Sequence, residues 1–342
     1  KMSISIVPYS TQVSMPAAFL DEMRVSDEHS YSNCINFDGS DFNTTGLNLS
    51  REYERTMHFS VWDYYDYRDE DEHVRQPTCA SDADNPERTA LLMSDNVAQL
   101  QSYIDAFVDS ENTSIDLGMK WGTALLDPSV QPIIATLAND ANPNQSIEAR
   151  YANRPVSYQD TETLKVIVMM TDGQNTAQYY IKDDYREGLT PVWYNSEENV
   201  YSTYDPNRYG SDKYYWHQTG QWEDHPYGNG QTQQWVCTRY GWNNSCRAGY
   251  YDTVDEPGEA LQLSYADLFA ETSLRYLYRD LFGDWMSNAS WYWYNRLYSY
   301  VGDSTKDSRT LAVCDAAKEK GIVVFTIGFE APWRGQQVLQ QC

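Results

Sequence analysis

The most constraining feature of the chain is an apolar run without alternation, Val166 to Met170, which stops at Thr171-Asp172-Gly173. Such a run suits a strand buried on both faces, as in a parallel sheet covered by helices. The residues that follow, Gln174, Asn175 and Thr176, are turn and cap formers. In an open α/β sheet, ligands bind at the carboxyl ends of the strands, and hard cations prefer oxygen donors. Asp172 is therefore a candidate metal ligand, although an aspartate there also suits a simple turn or helix cap. A second apolar run, Ile322 to Phe329, follows a helical segment, Ser308 to Lys320, that ends at Gly321. It reads as a second fully buried strand. Helix followed by strand is the order of a parallel sheet, so the expected class is α/β.

Other segments support this reading. Met2 to Tyr9 reads as a strand ending at Pro8-Tyr9-Ser10. Ser94 to Val108 has helical spacing of Val97, Leu100, Ile104 and Phe107 or Val108, with Ser94 as the expected N-cap. In Glu111 to Pro128, Leu117, Trp121, Ala124 and Leu125 share one helical face, and Asp127-Pro128 ends the helix. Residues 137–160 read as polar loop. The acidic, aromatic stretch Val61 to His73 reads as a solvated loop face, with a calcium site as the sharper alternative. The stretch 177–305 holds twenty of the 29 tyrosines and eight of the 11 tryptophans, so it forms a separate compositional block. Up to about residue 258 it reads as loops or short strands; Leu263 to Phe282 has helical periodicity.

The formal charge of −25 argues against nucleic acid and anionic membranes as partners, because their phosphates would be repelled. The six cysteines, Cys34, Cys79, Cys237, Cys246, Cys314 and Cys342, show no CxxC spacing. An even count in such a chain points to disulfides and an oxidising compartment. Spacing alone leaves connectivity open; sequential pairing, 34–79, 237–246 and 314–342, is the expectation, each bond closing a local loop. No transmembrane run or signal peptide is present in these residues. Lys1 directly precedes a strand-like MSISIVPYS, which suggests an amino-terminal piece beyond it.

Taken together and in order, several stretches resemble a von Willebrand factor A domain. KVIVMMTDGQNT (Lys165 to Thr176) looks like the family's strand ending in Thr-Asp-Gly, MSISIVPYS like the strand after its first helix, and CDAAKEKGIVVFTIGF like its late helix and strand. Within that superfamily, TSIDLGMKWGTALLDPS (Thr113 to Ser129), MHFS (Met57 to Ser60) and the cysteine placement resemble the TadE/TadG-like pilus-assembly proteins of bacteria. The resemblance implies a Rossmann-like open, mostly parallel sheet flanked by helices. Its core would comprise 1–24, 91–176 and 306–342, interrupted by an acidic aromatic insertion at 25–90 and a Tyr/Trp-rich insertion at 177–305. It also implies a divalent-cation site, magnesium or calcium, built from three loops. Thr113 matches the second loop and Asp172 the third. The first, Asp-x-Ser-x-Ser, is absent here. In the family it ends the central strand, so that strand is expected outside this sequence or from another chain. A strand and a last helix are likewise expected beyond Cys342.

The function implied is noncatalytic: pilus assembly or surface adhesion, periplasmic, outer-surface or extracellular. The cation would take an acidic side chain of a protein partner, and the aromatic insertion would supply a partner or self-association surface. Membrane attachment would run only through a segment outside this sequence. A second class is a carbohydrate-binding surface protein whose Trp and Tyr stack on sugars; acid–base glycan chemistry would need a specific carboxylate pair, which an acidic chain offers by chance. A third is that the insertion only stabilises the fold by packing its own core. GxSxG and HExxH are absent, and the five histidines, His29, His58, His73, His217 and His225, read as structural.

Overall fold

The computed structural model describes residues 2–57, 78–79, 81–83, 85–107, 112–139 and 146–342. Val61 to His73, with its candidate calcium site, lies outside the described residues. The chain divides into two units: the first holds the described residues up to 57, from 78 to 181 and from 298 to 342, the second 182–297. The first unit opens with β1 (Ile4–Ile6), α1 (Ala17–Leu20), β2 (Leu91–Ser94), α2 (Val97–Asp105), α3 (Ile115–Ala124), α4 (Gln131–Leu137), β3 (Val166–Thr171) and β4 (Gln178–Ile181). The second unit contains β5 (Leu189–Asn195), β6 (Val200–Tyr204), β7 (Tyr214–Trp216), β8 (Gln221–Glu223), β9 (Gln231–Tyr240), β10 (Cys246–Asp255), β11 (Ala260–Ser264), α5 (Tyr265–Glu271) and α6 (Leu274–Tyr276). The chain then returns to the first unit with β12 (Tyr298–Val301), α7 (Asp303–Glu319), β13 (Val323–Gly328) and α8 (Trp333–Gln341).

The fold is mixed α/β. The two apolar runs pair parallel, in unbroken register from Val166 opposite Val323 to Thr171 opposite Gly328. Among the described residues this is a two-stranded sheet; β1 with β2 and β4 with β12 form separate antiparallel pairs. The expected open, mostly parallel sheet is therefore not what the described residues form. Nor are the two parallel strands buried on both faces. Ile167 and Met169 are buried against Ile115 and Met119 of α3 and Val313 and Ala317 of α7. Val168 on the opposite face is 53% exposed, and Phe325, its partner across the pair, 56%. The helices cover one face only, so an unbroken apolar run here alternates between burial and exposure.

The helix α3 is buried along almost its whole surface. Leu117, Trp121 and Ala124, with Leu125 just beyond, enter a large cluster with Phe19, Phe37 and Ile134, as the helical spacing predicts. Its opposite side packs on the parallel pair. Gly118 is required by a close approach: a Cβ there would come within 2.5 Å of the Tyr9 ring. Lys120 is buried too, and its ammonium donates to the carbonyls of Thr44 and Gly46, each at 2.8 Å. Burial pulls its pKa down to about 8, against the opposing pull of Asp41 and Asp127.

Local signals account for most element ends. In α2 the N-cap is Asn96, which accepts from Gln99 N–H; Ser94 instead ends β2 and donates to the Gln99 side chain at 2.6 Å. The helix α7 starts at Asp303, earlier than Ser308, and ends where Gly321 adopts φ +75°. That left-handed residue lets Ile322 N–H reach back to Ala317 O at 3.1 Å. The helical pattern of Leu263 to Phe282 is broken in two: Leu263 belongs to β11, and α5 and α6 are separated at Thr272-Ser273. Ser264 and Ser273 each cap a new start, accepting from Asp267 and Tyr276 N–H.

In the second unit β11, β5, β6, β7 and β8 form, in that order, an antiparallel five-stranded sheet. Next to it in sequence, β9 and β10 form a separate two-stranded hairpin. Three disulfides join Cys34 to Cys79, Cys237 to Cys246 across the hairpin, and Cys314 of α7 to Cys342 after α8. These are the sequential pairs, and no free cysteine remains. A native thiol titration should therefore return no reactive groups. Replacing Cys314 and Cys342 together by serine should lower stability in urea by roughly 3–4 kcal/mol, the loop-entropy figure for such a span; an unchanged midpoint would show that this bond does not stabilise the fold.

Candidate functional site

The structure brings the loops of Thr113 and Asp172 together at the carboxyl end of β3. Thr113 N–H donates to Thr176 Oγ1 at 3.0 Å, and Thr176 N–H donates to Thr113 O at 2.9 Å. Gly173 lies so close that a Cβ would sit 2.8 Å from Thr113 Oγ1. On its other side, the Gly173 carbonyl abuts Gly335 of α8. Asn175 is buried and holds the turn in place: its Oδ1 accepts from Ile115 N–H at 2.8 Å, and its Nδ2 donates to Asp307 Oδ1 at 2.9 Å. The Thr171 hydroxyl is used locally, accepting from Gly173 N–H. Asp172 itself is exposed. Its charge, after burial as the main cause, helps push the Tyr9 phenol up to about 12, and Tyr9 OH donates to Met170 O at 2.6 Å.

One hydroxyl and one carboxylate supply at most three oxygens, whereas magnesium takes about six ligands and calcium six to eight. The residues present do not complete a cation site by themselves. Among the described residues, no group of three or more His, Cys, Asp or Glu side chains comes together as a metal cluster.

Under this edge lies a set of buried charges that periodicity did not single out. Asp116, in the first turn of α3, is fully buried, and so is Lys306 of α7. Lys306 Nζ lies 3.7 Å from Asp116 Oδ1 and donates to Ser114 Oγ at 2.5 Å; Ser114 in turn donates to Thr11 O at 2.8 Å. Neither Asp116 carboxylate oxygen has a hydrogen bond among the described residues, and the same holds for Tyr180 OH and for Nε and Nη1 of Arg309. Burial raises the Asp116 carboxyl above its usual range despite Lys306 and Arg309, and burial lowers the Lys306 ammonium despite Asp116. The pair is held by charge rather than by a good hydrogen bond. Periodicity gives no signal for it, since α3 carries Asp116, Lys120 and Thr123 among its apolar residues.

The second unit carries the aromatic surface. Most of its rings pack on one another: Trp193 meets Tyr204 and Tyr214 at 5.9 and 5.2 Å, and Phe282 stacks on Trp293 at 4.5 Å. The hairpin rings Trp235, Tyr240, Trp242, Tyr250 and Tyr251 are all exposed, as are Tyr209, Trp291 and Tyr292 elsewhere in the unit. Two of the five histidines, His217 and His225, are wired into this unit. His217 Nε2 meets Thr203 Oγ1 at 3.1 Å, and burial pulls its pKa down to about 4. His225 lies between Asp224 and the buried Glu256, 3.0 Å from the latter. Burial lowers its pKa, but the two carboxylates outweigh that and leave it raised.

No family model, curated protein or solved structure matches the chain.

Two predictions come from these charges. Lys306→Met, which strands the Asp116 carboxylate, should cost about 3–5 kcal/mol, and adding Asp116→Asn should recover much of it, since an unpaired buried charge is the expensive state. Additive losses in the double variant would show that the two residues are not coupled. In a proton NMR titration, His217 should stay neutral until about pH 4, while His225 should titrate above 6.5. The depressed folded pKa of His217 means that the unfolded chain binds the extra proton. Its contribution, on the order of 2–3 kcal/mol, is then present above pH 6.5 and lost as pH falls towards 4. His217→Gln should remove that acid-side loss; an unaltered pH–stability profile would count against the assignment.

Proposed function

We propose that this chain is a noncatalytic interaction protein of the bacterial cell envelope or exterior, working in Tad-type pilus assembly or surface adhesion through a von Willebrand A-like first unit. The observation that carries the reading is the knitting of the Thr113 loop to the Thr-Asp-Gly turn at the carboxyl end of a parallel strand pair. This arrangement puts a hydroxyl and a carboxylate at the strand end where α/β sheets bind ligands. In this reading Thr113 and Asp172 would be two ligands of a magnesium or calcium ion, and the remaining ligands would have to come from an Asp-x-Ser-x-Ser that these residues do not contain. Such a cation would supply a positive point for an acidic side chain of a partner. The backbone of Gly173 is held closely between Thr113 and Gly335, which fixes the turn. The three disulfides support an oxidising compartment. Among the described residues, no helix is long and apolar enough to cross a membrane.

A second reading, a carbohydrate-binding surface protein, draws on the exposed rings of Trp235, Trp242 and Tyr251. Solvent-facing aromatics suit stacking on sugar rings as well as protein contact.

Calorimetry of the full-length protein with Mg²⁺ and Ca²⁺ tests the first reading. Asp172→Ala should abolish cation binding and leave thermal unfolding unchanged; equal affinity in the variant would defeat the metal assignment. A glycan array with the wild-type protein tests the second: selective binding that Trp242→Ala removes would favour it over the first.

A further inference from the structure

Among the described residues the hairpin of β9 and β10 leaves a backbone edge free, and that edge is unlike the rest of the chain. Gln231, Thr232, Gln233, Gln234, Trp235, Val236, Cys237 and Thr238 carry no charge, in a protein with a formal charge of −25. Among the described residues the two strands pair only with each other. Residues 231–235 are exposed, so neither face of that half of β9 is covered. Exposed edge strands are ordinarily protected by charge, proline or a bulge, because their unpaired N–H and C=O groups template further pairing. The register shifts of this hairpin lie near the turn, at Cys246 to Gly249 on β10 and at Cys237 to Arg239 on β9, and do not interrupt 231–236.

The register identifies the free groups. Glu256 N–H donates to Gly230 O at 3.0 Å, and the pairing continues as Val254 opposite Thr232, Asp252 opposite Gln234 and Tyr250 opposite Val236. The even-numbered residues of β9 therefore bond to β10, and the N–H and C=O of Gln231, Gln233 and Trp235 point outward. Charge is also polarised along the hairpin. Arg239 and Arg247 flank the turn, whereas Asp252 and Asp255 lie towards the open end.

We propose that β9 pairs antiparallel with β9 of a second copy of this chain, making a four-stranded sheet about a two-fold axis. Antiparallel pairing sets the basic turn of each hairpin at the end where the other carries its aspartates. Parallel pairing would instead set like charges side by side. The charge pattern thus selects a second copy in one orientation. Trp235, 4.9 Å from Tyr251 on the same face, then packs on side chains of the partner copy. A strand of ten residues is about 33 Å long and buries less than a standard interface, so the association is weak and concentration-dependent. At about 0.15 M salt the Debye length is near 8 Å, which screens repulsion between the acidic bodies. The proposal rests on the reading that the second unit supplies an interaction surface, and not on the cation site.

Sedimentation velocity over about a hundredfold concentration range, at ~0.15 M salt, tests it. Gln233→Pro removes an outward N–H and leaves the β9–β10 ladder intact. Thr253→Pro does the same on the outer edge of β10. Expected are a reversible dimer for wild type and for Thr253→Pro, and at least tenfold weaker association for Gln233→Pro, with all three giving the same thermal midpoint. A wild type that stays monomeric throughout overturns the proposal, as does equal association of Gln233→Pro, or loss in both proline variants. A monomer that instead binds zwitterionic vesicles through Trp242 overturns it in favour of a lipid role for the turn. None of these outcomes touches the cation measurement on Asp172, so the two readings fail separately.

Discussion

The first unit depends on α3 being buried between two apolar surfaces. One side of this helix enters the cluster of Phe19, Phe37, Ile134 and Tyr151, and the other lies on Ile167 and Met169 of the parallel pair. Burying large side chains on two sides contributes on the order of 1.5–3 kcal/mol each and leaves no solvent-facing stripe for polar residues. The consequences spread outward. Lys120 must find carbonyls, and the loop of Thr44 and Gly46 is held in place by supplying them. Asp116 must find a cation, and α7 is held by supplying Lys306. Position 118 must lack a side chain, because the Tyr9 ring occupies that space. Both charged residues of this helix thus fix a neighbour.

The same burial sets up the loop edge. Ile115 N–H, at the start of α3, is satisfied by Asn175, which follows the Thr-Asp-Gly turn. Helix start and turn are thereby one hydrogen-bonded assembly, and Thr113 and Asp172 sit on its rim. That coupling is the physical basis for reading the rim as a recognition site rather than as two unrelated loops. It also explains why the glycines at 173 and 335 face each other: two backbones meet there with no room for a side chain between them.

In the second unit the aromatic excess has two uses. Rings on the five-stranded sheet and the short helices pack edge-to-face and build a small core, as with Trp193, Tyr204 and Tyr214. Rings on the hairpin stay in solvent. Both uses were weighed from composition, but composition has no term for which strand is an edge. The pairing partners of β9 and β10 set the hairpin's rings apart from those of the five-stranded sheet.

Several features were determined locally and were legible in the sequence. The buried face of α3, the strand positions of the two apolar runs and the stop at Gly321 all follow from periodicity or backbone preference, whereas spacing alone left the disulfide connectivity open. Other features were decided by tertiary contacts. An apolar run shows which residues favour burial, but not whether anything covers the second face, so Val168 and Phe325 were misjudged as core. The helical pattern over Leu263 to Phe282 was real, yet serine caps at 264 and 273 competed with it and divided it. Asp116 gave no signal because the group that compensates it lies on a helix 190 positions away in the chain. The same holds for the backbone edge of β9, with which no other strand pairs among the described residues. The sequence by itself determined what each segment tends to become; which faces and charges meet was decided by tertiary structure, because those energies belong to pairs of segments and not to either one alone.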